Sequence, residues 1–174
     1  MRGLFRLAAV LALVLAAWPE LARYRGERQL RRATSELRHA LSASRSVEEA
    51  GPALERVAAN ALSAAANLPG DPRPRMVAGS ARLVARRPQD ALALYRDALA
   101  TGERAEIDLN LGRAHALAGE RPEAQTALRR ALWISPVLSE AIPQPLSARL
   151  LEDVATLESQ LRAGLLPAPP ALPD

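Results

Sequence analysis

The sequence predicts an all-α protein: a short helical solenoid of two clear hairpin repeats with flanking capping helices, behind an N-terminal hydrophobic helix. Three observations carry that expectation. Apolar residues recur with a helical period through most of the chain. Hydrophobic residues make up 49% of the chain and aromatics only 3%, so the core must be built from Ala, Leu and Val, which suits close helix packing and suits sheets poorly. Small residues also return at a fixed interval of 33: Gly79 and Gly112, Ala91 and Ala124, Ala98 and Ala131, with Tyr95 in the slot of Leu128. Self-similarity at such a period is the mark of stacked helical units, each too small to bury its own apolar face.

The chain opens with Arg2 and Arg6 around an apolar run that is uninterrupted from Leu7 to Ala17. An uncleaved membrane anchor over residues 1–22 is expected, touching lipid through residues 3–22, with Arg6 snorkelling and Trp18 and Tyr24 at the interface. A cleaved signal peptide exiting at Ala16-Ala17 is the alternative and would leave an exported soluble protein; a soluble amphipathic start is a third reading. From Gly3 to Trp18 a helix reaches about 24 Å, short of the roughly 30 Å hydrocarbon core, so an anchor needs local thinning or help from Leu21 and Ala22. The net charge of +4 is uneven: residues 1–32 hold seven arginines against Glu20 and Glu27, while the remaining chain carries a net −1. Residues 23–46 thus read as a basic juxtamembrane helix facing lipid headgroups. Arg2 and Arg6 favour a cytoplasmic N-terminus and the five arginines from Arg23 to Arg32 oppose it. The expectation is a single pass through a bacterial inner membrane with the repeats on the periplasmic side.

Leu30, Ala33, Leu37, Ala40 and Leu41 share one face of a helix expected over Glu27 to Ala43. Ser46 with Glu49 three residues on resembles a capping box, and Gly51-Pro52 leaves the next helix starting either at Val47 with a kink or afresh at Pro52. That helix ends at Asn67-Leu68-Pro69-Gly70, so residues 47–70, paired with the helix before them, form a degenerate first repeat that caps the stack. Asp71-Pro72 caps the first clear repeat, residues 71–104, whose bend falls at Arg86-Arg87-Pro88. The second, residues 105–138, turns at Gly119. Ser135-Pro136 would begin a third unit, cut short by Pro143 and Pro145. Within residues 139–164 a final helix carries Leu150, Val154, Leu157 and Leu161 as a capping stripe, with a dimer seam as the sharper alternative, and stops at Gly164. Residues 165–174 form a Pro-rich tail expected to be extended or disordered.

Asn110, Leu111, Gly112, Ala124, Leu128, Ala131 and Pro136 follow the spaced motif of the tetratricopeptide repeat family, and the chain resembles that family over about 65 residues. Some positions depart from it. The family's large aromatic is Asp108 here and Arg75 in the earlier copy, its tyrosine is His115 and Arg82, and the earlier copy's closing proline is Glu103. The resemblance implies that Gly79, Ala91, Tyr95, Ala98, Leu111, Gly112, Ala124, Leu128, Ala131 and Pro136 hold the repeats together. It further implies a concave groove lined by the first helix of each repeat. By position that groove takes Arg73, Met76, Ser80, Leu83 and Val84 from one repeat and Glu106, Leu109, Arg113, Ala116 and Leu117 from the next. Mixed apolar and arginine character suits a protein or peptide partner with an acidic end. Alternatively the final helix fills the groove itself.

Signatures of chemistry are missing. Without cysteine there is no thiolate nucleophile or thiolate metal site, and without lysine no phosphate loop of the usual kind. His39 and His115 lie on different helices and cannot build a His-rich metal site. Glu48-Glu49 and Glu152-Asp153 are sequence neighbours and project to different sides, so neither makes an acid–base dyad. Arg86-Arg87 and Arg129-Arg130 read as solvated faces. Nucleic acid is not expected, since the basic charge sits outside the repeats and one Phe and two Tyr give no stacking platform. The function expected is that of a non-enzymatic adaptor tethered to the inner membrane, without metal, cofactor or small-molecule substrate, assisting assembly of an envelope complex. The alternative is a structural subunit with no groove ligand.

Overall fold

The computed structural model describes residues 2–43 and 46–166, and for residues 2–15 the backbone alone. Much of the expected anchor and most of the Pro-rich tail lie outside the described side chains. Among the described residues no helix is long and apolar enough to cross a membrane.

Seven α-helices follow one another: α1 (Arg2–Ala43), α2 (Val47–Asn67), α3 (Arg73–Val84), α4 (Pro88–Leu99), α5 (Ala105–Ala118), α6 (Arg121–Ile134) and α7 (Leu146–Arg162), with a 3₁₀ helix at Pro136–Ala141. No strand occurs among the described residues. Each helix packs on the next in sequence, giving the hairpins α1–α2, α3–α4 and α5–α6, closed at the far end by the 3₁₀ helix and α7. The first helices of the hairpins also touch one another, α1 with α3 and α3 with α5, whereas α2, α4 and α6 do not. One face of the stack is therefore lined by α1, α3 and α5.

Two of the expected boundaries can be placed on the helices. No break separates residues 1–22 from 23–46, because α1 is continuous and passes through Pro19. Trp18, Pro19 and Glu20 are exposed. Between the two openings left for α2, the start at Val47 is the one adopted: the Ser46 side chain accepts from the Glu49 amide at 3.1 Å, and Pro52 is carried inside the helix. At α3, Asp71 Oδ1 accepts from the Arg73 amide at 2.9 Å.

The 33-residue interval is physical. A Cβ added to Gly79 would lie 2.6 Å from Tyr95 Cε1, and one added to Gly112 would lie 2.5 Å from Leu128 Cγ. Both glycines thus let the second helix press a large side chain against the backbone of the first. The bends match too. Arg86, at φ 59, and Gly119, at φ 85, are 33 apart and both left-handed. The amides one residue on, Arg87 and Glu120, bond to the carbonyls of Arg82 and His115 at 2.9 Å each. Such a six-residue closure satisfies the last carbonyls of a helix and usually takes glycine. Arg86 adopts it against its intrinsic preference.

Three main apolar clusters run along the stack: Leu54, Val57 and Ala58 with Ala33 and Ala78; then Leu92, Tyr95 and Ile107; then Leu128, Leu132, Leu150 and Val154; a smaller one of Leu30, Ala64 and Leu68 lies beside the first. Ser80 Oγ lies 3.2 Å from the Tyr95 hydroxyl, which satisfies the one polar atom of the largest buried ring. Burial pushes the Tyr95 phenol up to about 12.

Gly79→Ala and Gly112→Ala are expected to destabilise by about 1–3 kcal/mol each in urea unfolding followed by circular dichroism, although alanine is the better helix former. Combining Gly112→Ala with Leu128→Ala should cost less than the sum of the two, because the second change removes the clash made by the first.

Candidate functional site

A groove of about 500 Å³ opens between α1 and α3 on the face formed by the first helices. Its floor is apolar, from Leu30 on α1 and Met76 and Val77 on α3, with Thr34 beside them. Three arginines stand around it: Arg31 and Arg38 from α1, and Arg73 from α3. The α1 residues reach this face because Ala33 and Ala40 bury the neighbouring stripe of the helix, which leaves Leu30 at its edge and Thr34 and Arg38 beside it.

The arginines are not equivalent. Arg73 Nη2 donates to Glu27 Oε1 at 2.5 Å and to Asp71 Oδ2 at 2.6 Å, and its Nε lies 2.9 Å from the same Asp71 oxygen. Hydrogen bonds from Arg73 hold the Asp71 carboxyl below the usual carboxylate range, and Asp71 and then Glu27 hold the guanidinium charged. Arg73 therefore ties α1 to α3. Arg31 and Arg38 are exposed and make no ion pair among the described residues. They are the cations this face can offer.

Of the other expected groove residues, Met76 and Leu83 are half-buried against the middle cluster, and Val84 packs on the first. Ser80 is turned into its hairpin, bonded to the Met76 carbonyl and to Tyr95. Glu106, Ala116 and Leu117 are exposed. Arg113 is exposed and donates to the Ala141 carbonyl at 3.0 Å and to Asn110 Oδ1 at 3.3 Å, which ties α5 to the 3₁₀ helix. Leu109 is not on the groove: it is 5% exposed, in the third cluster with Leu128 and Leu132, because the 3₁₀ helix and α7 cover that side of the stack end. Among the expected packing residues, Gly79, Ala91, Tyr95, Ala98, Leu111, Gly112, Ala124, Leu128 and Ala131 are buried, while Pro136 is exposed where it opens the 3₁₀ helix.

The expectation that α7 fills the groove is corrected. Its backbone runs against α6 and the 3₁₀ helix and approaches neither α3 nor α5, and its Leu150 and Val154 join the cluster of Leu109 at the end of the stack. The sequence pairs that helix with α2 as a cap on the stack and places it beside the membrane, but the groove contribution of its Leu30, Arg31, Thr34 and Arg38 was not expected. Its amphipathic stripe was the available signal, since a helix that buries one face in the stack turns flanking residues towards α3.

Two buried polar groups remain. His115 is 2% exposed, with Nδ1 2.6 Å from Glu120 Oε2, and Nε2 is enclosed without a hydrogen-bond partner. Hydrogen bonds from His115 and then from Gln89 hold the Glu120 carboxyl below its usual range. The pair joins α4, α5 and α6 at their turns, and its second nitrogen faces the interior rather than solvent. Asp108, where the family motif has an aromatic, is fully buried, and neither carboxyl oxygen has a hydrogen-bond partner. Burial first, and then nearby Glu103, push it up to about 7, opposed by Arg130. Arg130 is itself held by Glu103 at 2.5 and 2.7 Å and is partly buried, so Arg129-Arg130 is not a simple solvated face. No group of three His, Asp or Glu side chains among the described residues is placed to hold a metal.

Comparison of the chain with family models, with curated proteins and with solved structures found no match.

Because Asp108 titrates near 7 when folded and near 3.8 when unfolded, the folded state alone holds its proton between those values. Stability conferred by the protonated form is therefore lost as pH rises from about 4 to 7. Asp108→Asn cannot ionise. Its stability relative to wild type, measured by urea unfolding, should improve by roughly 2–4 kcal/mol between pH 4 and pH 8.

Proposed function

We propose that this protein is a non-enzymatic adaptor of the tetratricopeptide-repeat kind, tethered to a bacterial inner membrane by its N-terminal segment, that holds a partner polypeptide on the face made by α1, α3 and α5. The observation that carries the reading is the open groove, with an apolar floor at Leu30, Met76 and Val77 and unpaired cations at Arg31 and Arg38. An apolar floor with cations at its edge suits a short segment that buries one or two aliphatic or aromatic side chains and presents carboxylates alongside. Packing of α7 on α6 supports the reading, since it leaves the face free. The equivalence of Gly79–Tyr95 with Gly112–Leu128 supports the repeat family, with each first helix turned to one side.

The tether is drawn from the run Leu7–Ala17 and from the continuity of α1, which would join it rigidly to the first wall of the groove. A partner held there would sit close to the bilayer. Assistance in assembling an envelope complex is the role such placement suits.

Affinity capture from solubilised envelopes tests the groove. Wild-type chain should recover a polypeptide that Met76→Glu and Arg38→Glu each reduce by about tenfold or more, while circular dichroism stays unchanged. Equal recovery by all three proteins would remove the groove from the account.

A further inference from the structure

A second surface lies on the outside of α1. Gly26, Leu30 and Ala33 face the stack, and Leu21, Tyr24, Arg25, Arg28 and Arg32 share the opposite arc of the helix. No other element covers them: Trp18 and Tyr24 are each 59% exposed and Leu21 is 43% exposed. Arg25 lies over the Trp18 ring, 5.9 Å from its centre. Arg28 has no acidic partner among the described residues, Glu27 is committed to Arg73, Arg32 is paired with Glu36 on the same helix at 2.9 Å, and Glu20 is exposed one turn before Tyr24. The face thus combines an excess of positive charge, from Arg25 and Arg28 beside the paired Arg32, with exposed Trp, Tyr and Leu.

We infer that this outer face of α1 is a docking surface for an anionic bilayer, so that the helix lies along the membrane rather than standing away from it. Charge complementarity favours an anionic surface, since arginines attract acidic headgroups within roughly a Debye length of about 10 Å. A helix leaving the bilayer upright would carry Arg32 about 21 Å beyond Trp18, outside that range. A bilayer is favoured over an acidic protein by the aromatic and aliphatic side chains among the arginines, which suit the headgroup–acyl boundary. It is favoured also by the apolar run Leu7–Ala17 in the same helix. The inference rests on the tethered reading only in that the chain meets a bilayer, and it is independent of the groove.

Ser35 is exposed at the middle of the same arc, and the chain has no cysteine, so Ser35→Cys places one environment-sensitive fluorophore there. It lies about 25 Å along the helix from Trp18, too far to sense lipid unless α1 lies down. The full chain would be floated with phosphatidylcholine vesicles and with vesicles containing about a third phosphatidylglycerol. The expected result is a severalfold rise in emission on the anionic vesicles alone. Salt at about 0.5 M should reverse it, and the triple change Arg25→Gln, Arg28→Gln, Arg32→Gln should abolish it. Flotation with both vesicles and no difference in emission overturns the docking surface and leaves the tether standing. Failure to float with either overturns both. An equal emission rise with heparin or poly-glutamate, in the absence of lipid, also overturns it, by assigning the face to an acidic polymer.

Discussion

The architecture depends on a single close approach made twice. Within the hairpins α3–α4 and α5–α6 the second helix drives one large side chain, Tyr95 or Leu128, onto a glycine of the first, with no room for a Cβ between them. Helices brought that near bury their alanines fully, and alanine is the main core material this composition offers. A bulkier residue at Gly79 or Gly112 would hold the helices apart and leave the small side chains around them facing voids. Nesting of the pairs in turn places all the first helices on one side, and the open face follows from that.

Polar contacts fix the register of the stack more than they stabilise it. Glu27–Arg73 joins α1 to α3, Glu55 reaches Arg82 and Arg87 from α2, and Glu103 grips Arg130 across the second hairpin. Apart from Arg82 and Arg130, which are mostly buried, these side chains are exposed or half-exposed, and exposed pairs contribute little each. Their value lies in selecting one relative placement of helices whose apolar faces are nearly uniform rows of Ala and Leu. Asp108 is the exception that costs stability: a carboxyl with no hydrogen-bond partner in the slot where a large aromatic would fill space.

The hairpins were legible in the sequence because the constraint that makes them is a spacing. Gly79, Ala91 and Ala98 announce their partners 33 residues on, and Pro and Gly mark the bends. Less of the first hairpin could be read. The buried residues of α2, Val57, Ala58, Ala61 and Ala64, precede Ala91, Leu92, Tyr95 and Ala98 by 34 rather than 33, and Gly26 meets Leu68 and Asn67 in a contact of its own. Leu109 illustrates the other limit. It sits on the first helix of its repeat, where position alone suggests the groove, but its surroundings are set by the truncated third unit and α7, which the local pattern does not describe. The groove wall on α1 was hidden for a related reason: the helix reads as a cap on the stack and as the basic neighbour of an apolar run, and neither reading turns its flanking residues towards α3.

The nesting of each hairpin on its glycine is most directly measured by nuclear Overhauser effects in the full-length chain. The account predicts strong cross-peaks from the Gly79 α-protons to the Tyr95 ring, with a ring-current shift on those protons, and from the Gly112 α-protons to the Leu128 methyls. Absence of either set in a folded sample would contradict it, because helices not in contact at those glycines cannot stack as paired units with their first members on one face.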